Sequence, residues 1–199
     1  MNDAAQRAAL RRQLRQARRA LTPLQQRQAS VRLLKQLAQH PLYRRSRHIA
    51  FYLANDGEID PALLMQHAQR LGKHCYLPVL CDWPVHRMHF QRLASDQAWT
   101  TNRFGIREPR LNHARQARPW RLDLIFMPLV GFDEQGNRLG MGGGFYDRTF
   151  AFRRQRRHWT GPQLLGLAHD CQKVSQLPAA PWDIPLDGIA SDHEVILLT

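Results

Sequence analysis

The sequence predicts an α/β fold: one domain of 199 residues carrying a mostly parallel sheet flanked by helices. Three observations predict it. Apolar runs of strand length stand at 48–53, 74–79, 122–128 and 164–168. Stretches of helical period precede the first run and separate later ones. Between residues 48 and 79 a strand, a polar loop, a helix and a second strand come in direct succession, the order of a parallel α/β unit.

Residues 3–20 read as a basic amphipathic helix with Leu10, Leu14, Ala17 and Leu21 as its apolar stripe and Arg7, Arg11, Arg15 and Arg18 on an adjacent face. A second helix opens with Thr22 as N-cap, Pro23 at the first position and Gln25 completing a capping box. Leu24, Val31, Leu34 and Ala38 are its expected buried face. The strand at 48–53 empties into a polar turn ending at Glu58, and Asp60-Pro61 starts a helix that Gly72 stops. The strand at 74–79 comes next. Residues 87–92 alternate as a strand, on which His86 and His89 point to opposite faces and make a poor metal pair. Residues 105–109 are an extended turn region. The run at 122–128 is the most apolar and is expected at the sheet centre. A helix is expected over 145–154, a strand at 164–168, irregular chain around Pro178, Pro181 and Pro185, and a closing strand at 194–198.

Composition narrows the function. The formal charge is +13, and lysine supplies only Lys35, Lys73 and Lys173 of 29 basic residues. Arginines cluster in the first helix and at Arg153, Arg154, Arg156 and Arg157. A nucleic-acid binder looks like this; so does an enzyme that concentrates anionic substrates. The arginines lack the interleaved aromatics of single-strand binders, so no specific nucleic acid is expected. Cys75, Cys81 and Cys171 form neither a C-x-x-C pair nor an even set, against a disulfide framework or zinc. No apolar run approaches a membrane span, and the basic N-terminus has no apolar core of a secretory signal. A cytoplasmic protein with no membrane partner is expected.

The chemistry concentrates at 136–148, which holds five of the twelve glycines: Gly136, Gly140, Gly142, Gly143 and Gly144. Such a run brings no side chains to pack; it lets the backbone approach a ligand and turn N–H groups toward it. Followed by a helix start, it reads as an anion site. Arg138 and Arg148 flank it and can bond phosphate oxygens. Asp147 would repel an anion unless a cation lies between them, so it reads as a magnesium ligand. Asp183 and Asp187, in the late proline-rich loop, are candidates to join it. The loop lacks the Gly-Lys-Ser/Thr ending of a Walker loop. It also stands about a dozen residues from the preceding strand, where a Rossmann fingerprint comes directly after its strand. Ligands of parallel sheets sit beyond the carboxyl ends of strands; one crevice there would hold Glu58 and the glycine loop together.

The stretch Asp123-Leu-Ile-Phe-Met-Pro128, Gly131-Phe-Asp133, Gly136-Asn-Arg-Leu-Gly140 and Gly142-Gly-Gly-Phe-Tyr-Asp147 resembles the signature of the 5-formyltetrahydrofolate cyclo-ligase (5,10-methenyltetrahydrofolate synthetase) family. Weaker matches run in order across nearly the whole chain, among them Phe51-Tyr-Leu53 with Glu58 and Asp183-Ile-Pro-Leu-Asp187. The resemblance implies a Rossmann-like sheet and an ATP- and magnesium-dependent cyclisation of 5-formyltetrahydrofolate. It implies ATP contacts at Arg7, Arg11, Arg138, Leu139, Gly140, Met141, Gly142, Gly143, Gly144, Phe145 and Tyr146. Folate contacts are implied at Leu53, Glu58 and Met141 through Phe145, and magnesium at Asp147 and Asp183. Arg138, Tyr146 and Arg148 are the expected catalytic residues, reduced folate and ATP the partners, and a monomer the working form. Relatives often carry lysine at the Gly143 position and at the Arg7 position. Here Arg7, Arg138 or Arg148 must supply that cation, as a planar fork in place of a point charge. Two alternatives remain: another ATP-dependent ligase or kinase on the same fold acting on a different heterocycle, and a nucleic-acid-binding module suggested by the charge.

Overall fold

The computed structural model describes residues 3–81, 83, 85–154, 161–178 and 180–198. Arg156 and Arg157 of the second arginine cluster lie outside them. The elements run α1 (Asp3–Arg19), α2 (Pro23–Gln39), α3 (Pro41–Arg45), β1 (His48–Ala50), α4 (Ala62–Arg70), β2 (His74–Leu80), β3 (Met88–Arg92), β4 (Trp99–Thr101), β5 (Arg107–Pro109), β6 (Gln116–Ala117), β7 (Leu124–Pro128), β8 (Gly131–Phe132), β9 (Arg138–Leu139), α5 (Phe145–Thr149), β10 (Gln163–Leu167), β11 (Gly188–Ala190) and β12 (Val195–Leu197).

Eight strands form one sheet in the order β12-β11-β10-β7-β1-β2-β3-β6. The five from β11 to β2 are parallel, and β12, β3 and β6 are antiparallel additions at the edges. The apolar run at 122–128 takes the centre, as its composition predicts. Successive side chains of a strand face opposite ways, and β7 divides accordingly. Leu124 and Phe126 pack on one face with Leu33 and Leu37 of α2 and Leu64 and Ala68 of α4. Ile125 and Met127 pack on the other with Phe90 and Phe150.

Three expectations are corrected. On α2, Leu24 is 65% and Val31 38% exposed, while Ala29, Leu33 and Leu37 are buried. The face that meets α4 lies a fraction of a turn from the expected one; the capping box at Thr22 and Gln25 is present. Strand β1 ends at Ala50, where its pairing with β7 ends. Phe51 still donates to Tyr76 O at 2.9 Å, and the chain then leaves the sheet. The helix expected over 145–154 stops after five residues and continues as a 3-10 turn, Ala151–Arg154. Phe150 is fully buried beside Phe90, and Thr149 Oγ1 accepts the Met88 N–H at 3.2 Å. Both pull the chain onto β3. None of Cys75, Cys81 and Cys171 is in a disulfide.

The sheet reverses its direction of growth between β1 and β7: from β1 the chain adds β2 on one side, then β7, β10 and β11 on the other. The loops leaving β1 and β7 therefore part and leave a crevice at their carboxyl ends. The dozen residues between β7 and Gly140 are the β8–β9 hairpin. Asp133 closes its turn by accepting N–H bonds from Gln135, Asn137 and Leu177, and Gly136 sits there at φ +82°. Gly136 and Asp133 are thus turn residues that aim the glycine loop across the crevice.

Candidate active site

The crevice is a cavity of about 1050 Å³. It brings together Leu53, Glu58, Arg7, Arg11, Arg138, Gly140, Met141, Gly142, Gly143, Gly144, Phe145, Tyr146, Asp147, Arg148 and Asp183. Leu139 stands apart from it. Its side chain packs with Leu14, Val130 and Leu177, because strand alternation turns it inward and Arg138 toward the cavity. Asp187 does not line the cavity either. Its carboxylate accepts from Arg153 Nη2 and the Leu164 N–H, each at 2.7 Å, and so fastens the start of β10.

The glycine loop is held by its carbonyls. Arg11 Nε donates to Gly140 O at 2.8 Å, and Arg148 Nη1 to Gly143 O at 2.7 Å. Among the described residues the N–H groups of Gly142, Gly143 and Gly144 have no protein acceptor. Gly142 and Gly144 adopt φ +101° and +65°, a region that disfavours side chains. With α5 only five residues long, the loop N–H groups and arginines, rather than a long helix dipole, make this wall receptive to anions. Burial and then the neighbouring Arg7 lower the pKa of Arg11, against the opposing pull of Asp183.

Both candidate metal carboxylates are engaged by arginines. Arg7 meets Asp183 through two nitrogens at 2.8 and 3.2 Å and also bonds Pro178 O. Arg138 Nη2 lies 2.5 Å from Asp147 Oδ1, which also accepts the Ile184 N–H. That amide stands next to Asp183 in the chain, so one turn of backbone ties the two carboxylates together. Two carboxylates beside a loop able to receive phosphate could hold magnesium, which takes one or two plus phosphate oxygens and water. Among the described residues no cluster of three His, Cys, Asp or Glu is placed to hold a metal alone.

Glu58 lines the same cavity. Its carboxylate accepts the Asn55 N–H at 3.1 Å, and its side chain is 10% exposed. Burial raises its pKa to about 7, against the opposing pull of Arg18. The hydroxyls of Tyr52 and Tyr146 are pushed well up, first by burial and then by the Glu58 charge. Leu53, Leu77, Leu80, Met88 and Ile106 supply apolar wall. The site therefore combines a buried carboxylate able to accept N–H bonds with a glycine loop receptive to anions and two further carboxylates.

Sequence reasoning missed the β4–β5 hairpin as a wall. Phe104 at its tip meets Phe145 edge-on at 5.7 Å, under Arg103, and Glu108 accepts from the Leu80 N–H and Asn102. The exposed aromatic beside Gly105, at φ +74°, was the available signal. Trp182, which also lines the cavity, was missed as well.

Residues 3–192 match the family model described as the 5-formyltetrahydrofolate cyclo-ligase family. The chain is 42% identical over 183 residues to the 5-formyltetrahydrofolate cyclo-ligase of Haemophilus influenzae, covering 89% of this chain and 92% of that one. It is 40% identical over 183 residues to the enzyme of the same name from Escherichia coli K12, covering 92% and 98%. The NMR structure of Aquifex aeolicus 5,10-methenyltetrahydrofolate synthetase superposes with a TM-score of 0.80 at 28% identity, covering 96% of this chain and 92% of that one.

Proposed function

The chain belongs to the 5-formyltetrahydrofolate cyclo-ligase family, a family of folate ligases, and from that premise we propose that it closes 5-formyltetrahydrofolate to 5,10-methenyltetrahydrofolate, converting ATP to ADP and phosphate with magnesium. The observation that carries the reading is the single cavity in which Glu58 faces the glycine loop, Arg7, Arg138, Asp147 and Asp183.

A formamide is a poor electrophile and its oxygen a poor leaving group. The formyl oxygen on N5 attacks the γ-phosphate of ATP, ADP leaves, and the oxygen becomes an imidate phosphate. N10 of the same folate adds to the activated carbon, phosphate departs with the C–O electrons, and the N10 proton is lost to solvent. The protein positions the two substrates and neutralises charge; no protein nucleophile is required. Glu58 accepts the pterin N–H donors and sets the ring so that N5 points toward the phosphates. The N–H groups of Gly142, Gly143 and Gly144 cradle phosphate oxygens, Arg11 and Arg148 hold that loop, and Arg138 and Arg7 face the transferred group. Tyr146, beside Asp147, orients the formyl oxygen through its hydroxyl. Asp147 and Asp183 would hold the magnesium ion, which when bound offsets the charge of the terminal phosphates. The protein acts as a cytoplasmic monomer. Among the described residues no helix is long and apolar enough to cross a membrane.

The test is turnover of 5-formyltetrahydrofolate with ATP and magnesium, monitoring the methenyl product by its near-ultraviolet absorbance, with a chelator control. Product that requires both ATP and metal is expected. ATP binding without product would redirect the assignment to another heterocycle on the same site.

A further inference from the structure

Arg18 has no exposed surface, although arginine is almost never fully buried unless paired. It does not line the cavity. From behind the wall it reaches three of the segments that build it. Nε donates to Asp56 O at 2.8 Å, Nη2 to Asp56 Oδ2 at 2.8 Å and Nη1 to Leu129 O at 3.3 Å. Nη2 also reaches Met141 Sδ at 3.9 Å. Nη1 stands 3.9 Å from Glu58 Oε1. One side chain thus fastens the loop after β1, the chain leaving β7 and the glycine loop to α1.

The loop is shaped for this contact. Asp56 and Gly57 take φ +53° and +76°, a left-handed pair that a non-glycine residue rarely enters without compensation. A Cβ on Gly57 would stand 3.4 Å from Arg18 O, so the turn is moulded on the end of α1. Asp56 also binds Arg15 and Arg19. Burial opposes its charge, but hydrogen bonds from Arg15, Arg19 and Arg18 outweigh burial and hold its carboxyl down at about 2. Asp56 is therefore fully ionised under working conditions and secures the guanidinium beside Glu58.

We propose that Arg18 is a positioning residue that, from behind the cavity wall, holds the 54–58 loop and the Glu58 carboxylate in the geometry and charge state that receive the substrate. The proposal rests on the reading of Glu58 as the group that accepts the pterin N–H donors. The charged and titratable groups around Glu58 are Arg18 and Arg15 from α1, Asp56 from its own loop, Tyr52 after β1 and Tyr146 from α5. Arg18 is the cation nearest its carboxylate, so it sets the balance against burial.

The experiment titrates Glu58 in the ligand-free protein by carbon NMR of its carboxyl, assigned by its disappearance in Glu58→Gln. Wild type, Arg18→Met, Arg18→Lys and Asp56→Asn are compared, then their affinity for 5-formyltetrahydrofolate is measured against pH. Arg18→Met is expected to move the midpoint up by about one pH unit, as loss of a close opposite charge does, and to weaken binding at pH 7 about fivefold in step with the lost ionised fraction. Arg18→Lys keeps the midpoint near wild type, and Asp56→Asn, which removes a neighbouring negative charge, moves it down. An unchanged midpoint in a folded Arg18→Met protein overturns the proposal, as does an upward move in Asp56→Asn. Should Arg18→Met not fold, retention of the midpoint in Arg18→Lys and its fall in Asp56→Asn decide in favour, and any other pair decides against. If the midpoints move as expected while wild type binds no reduced folate, the substrate assignment fails and the positioning role stands.

Discussion

Arg138 Nη2 stands 2.5 Å from Asp147 Oδ1, inside the cavity, and the two side chains are 5% and 19% exposed. A cation suited to phosphate and a carboxylate suited to magnesium therefore neutralise each other before either ligand arrives. The same holds for Arg7 and Asp183. On the proposed function a metal–nucleotide complex would replace both pairs at once, with cation to carboxylate and phosphate to arginine.

Removing one partner separates these roles. Asp147→Asn is expected to bind metal-free ATP at least as well as wild type, because Arg138 is released, while the magnesium concentration for half-maximal rate rises about tenfold or more. Arg138→Met is expected to lower kcat by about 10²–10³, the usual effect of losing one charge-stabilising donor. Initial rates against magnesium at saturating ATP, with nucleotide affinity measured in chelator, test both. Equal magnesium dependence in Asp147→Asn would remove Asp147 from the metal site.

Glu58 makes substrate affinity depend on pH. On the proposed function, its ionised form would accept pterin N–H donors with both oxygens, which protonation prevents, and burial raises its pKa to about 7. Affinity for the reduced folate is expected to rise through pH 7 and to fall about tenfold per unit well below it. Glu58→Gln should bind weakly with a nearly flat profile. Stability moves the other way. The folded pKa is raised from 4.5 to about 7, so the charge carries no penalty below pH 4.5, and the penalty builds as pH rises through 7. Glu58→Gln should therefore gain stability over wild type at pH 8, by about 2 kcal/mol more than at pH 5. Urea unfolding at the two pH values measures this.

Gly142 separates conformation from space. Its φ is +101°, and a Cβ there would meet nothing closer than Arg11 at 3.9 Å. Gly142→Ala thus fits sterically but not conformationally, a strain of about 1–2 kcal/mol released by re-routing the loop. ATP affinity is expected to fall about tenfold or more, with little change in unfolding free energy, since the loop is at the surface. Nucleotide titration beside a denaturant curve tests it; unaltered ATP binding would show that the loop N–H groups do not hold the phosphates.

Features dictated by local chemistry were legible in the sequence. The apolar run ending at Pro128 declares a central strand, Thr22-Pro23 with Gln25 declares a helix start, and four glycines within 140–144 declare a backbone made to approach a ligand. Illegible were the features set by partners distant in the chain. Arg18 looks like its neighbours Arg15 and Arg19 until Asp56, nearly forty residues on, takes it out of solvent. Leu139 looks like part of the loop until β9 pairs with β8 and turns it to the core. The helix after the glycine loop has the composition for ten residues and stops at five, because Phe150 is drawn to Phe90 across the sheet face.

The rotation of α2 is open to direct measurement. By periodicity Leu24 and Val31 belong to the buried stripe, yet Leu24 is 65% exposed and Leu33 is fully buried. Leu33 packs in the layer that includes Leu37, Leu64 and Phe126, against the central strand. Truncating a buried leucine loses its transfer free energy and leaves a cavity, together about 2–5 kcal/mol. An exposed leucine on a helix loses about 0.5 kcal/mol or less. Leu33→Ala should therefore lower the unfolding free energy several-fold more than Leu24→Ala, which should be close to neutral. If Leu24→Ala is the costly one, α2 lies in the register its periodicity suggests, and the face it offers to α4 is the other one.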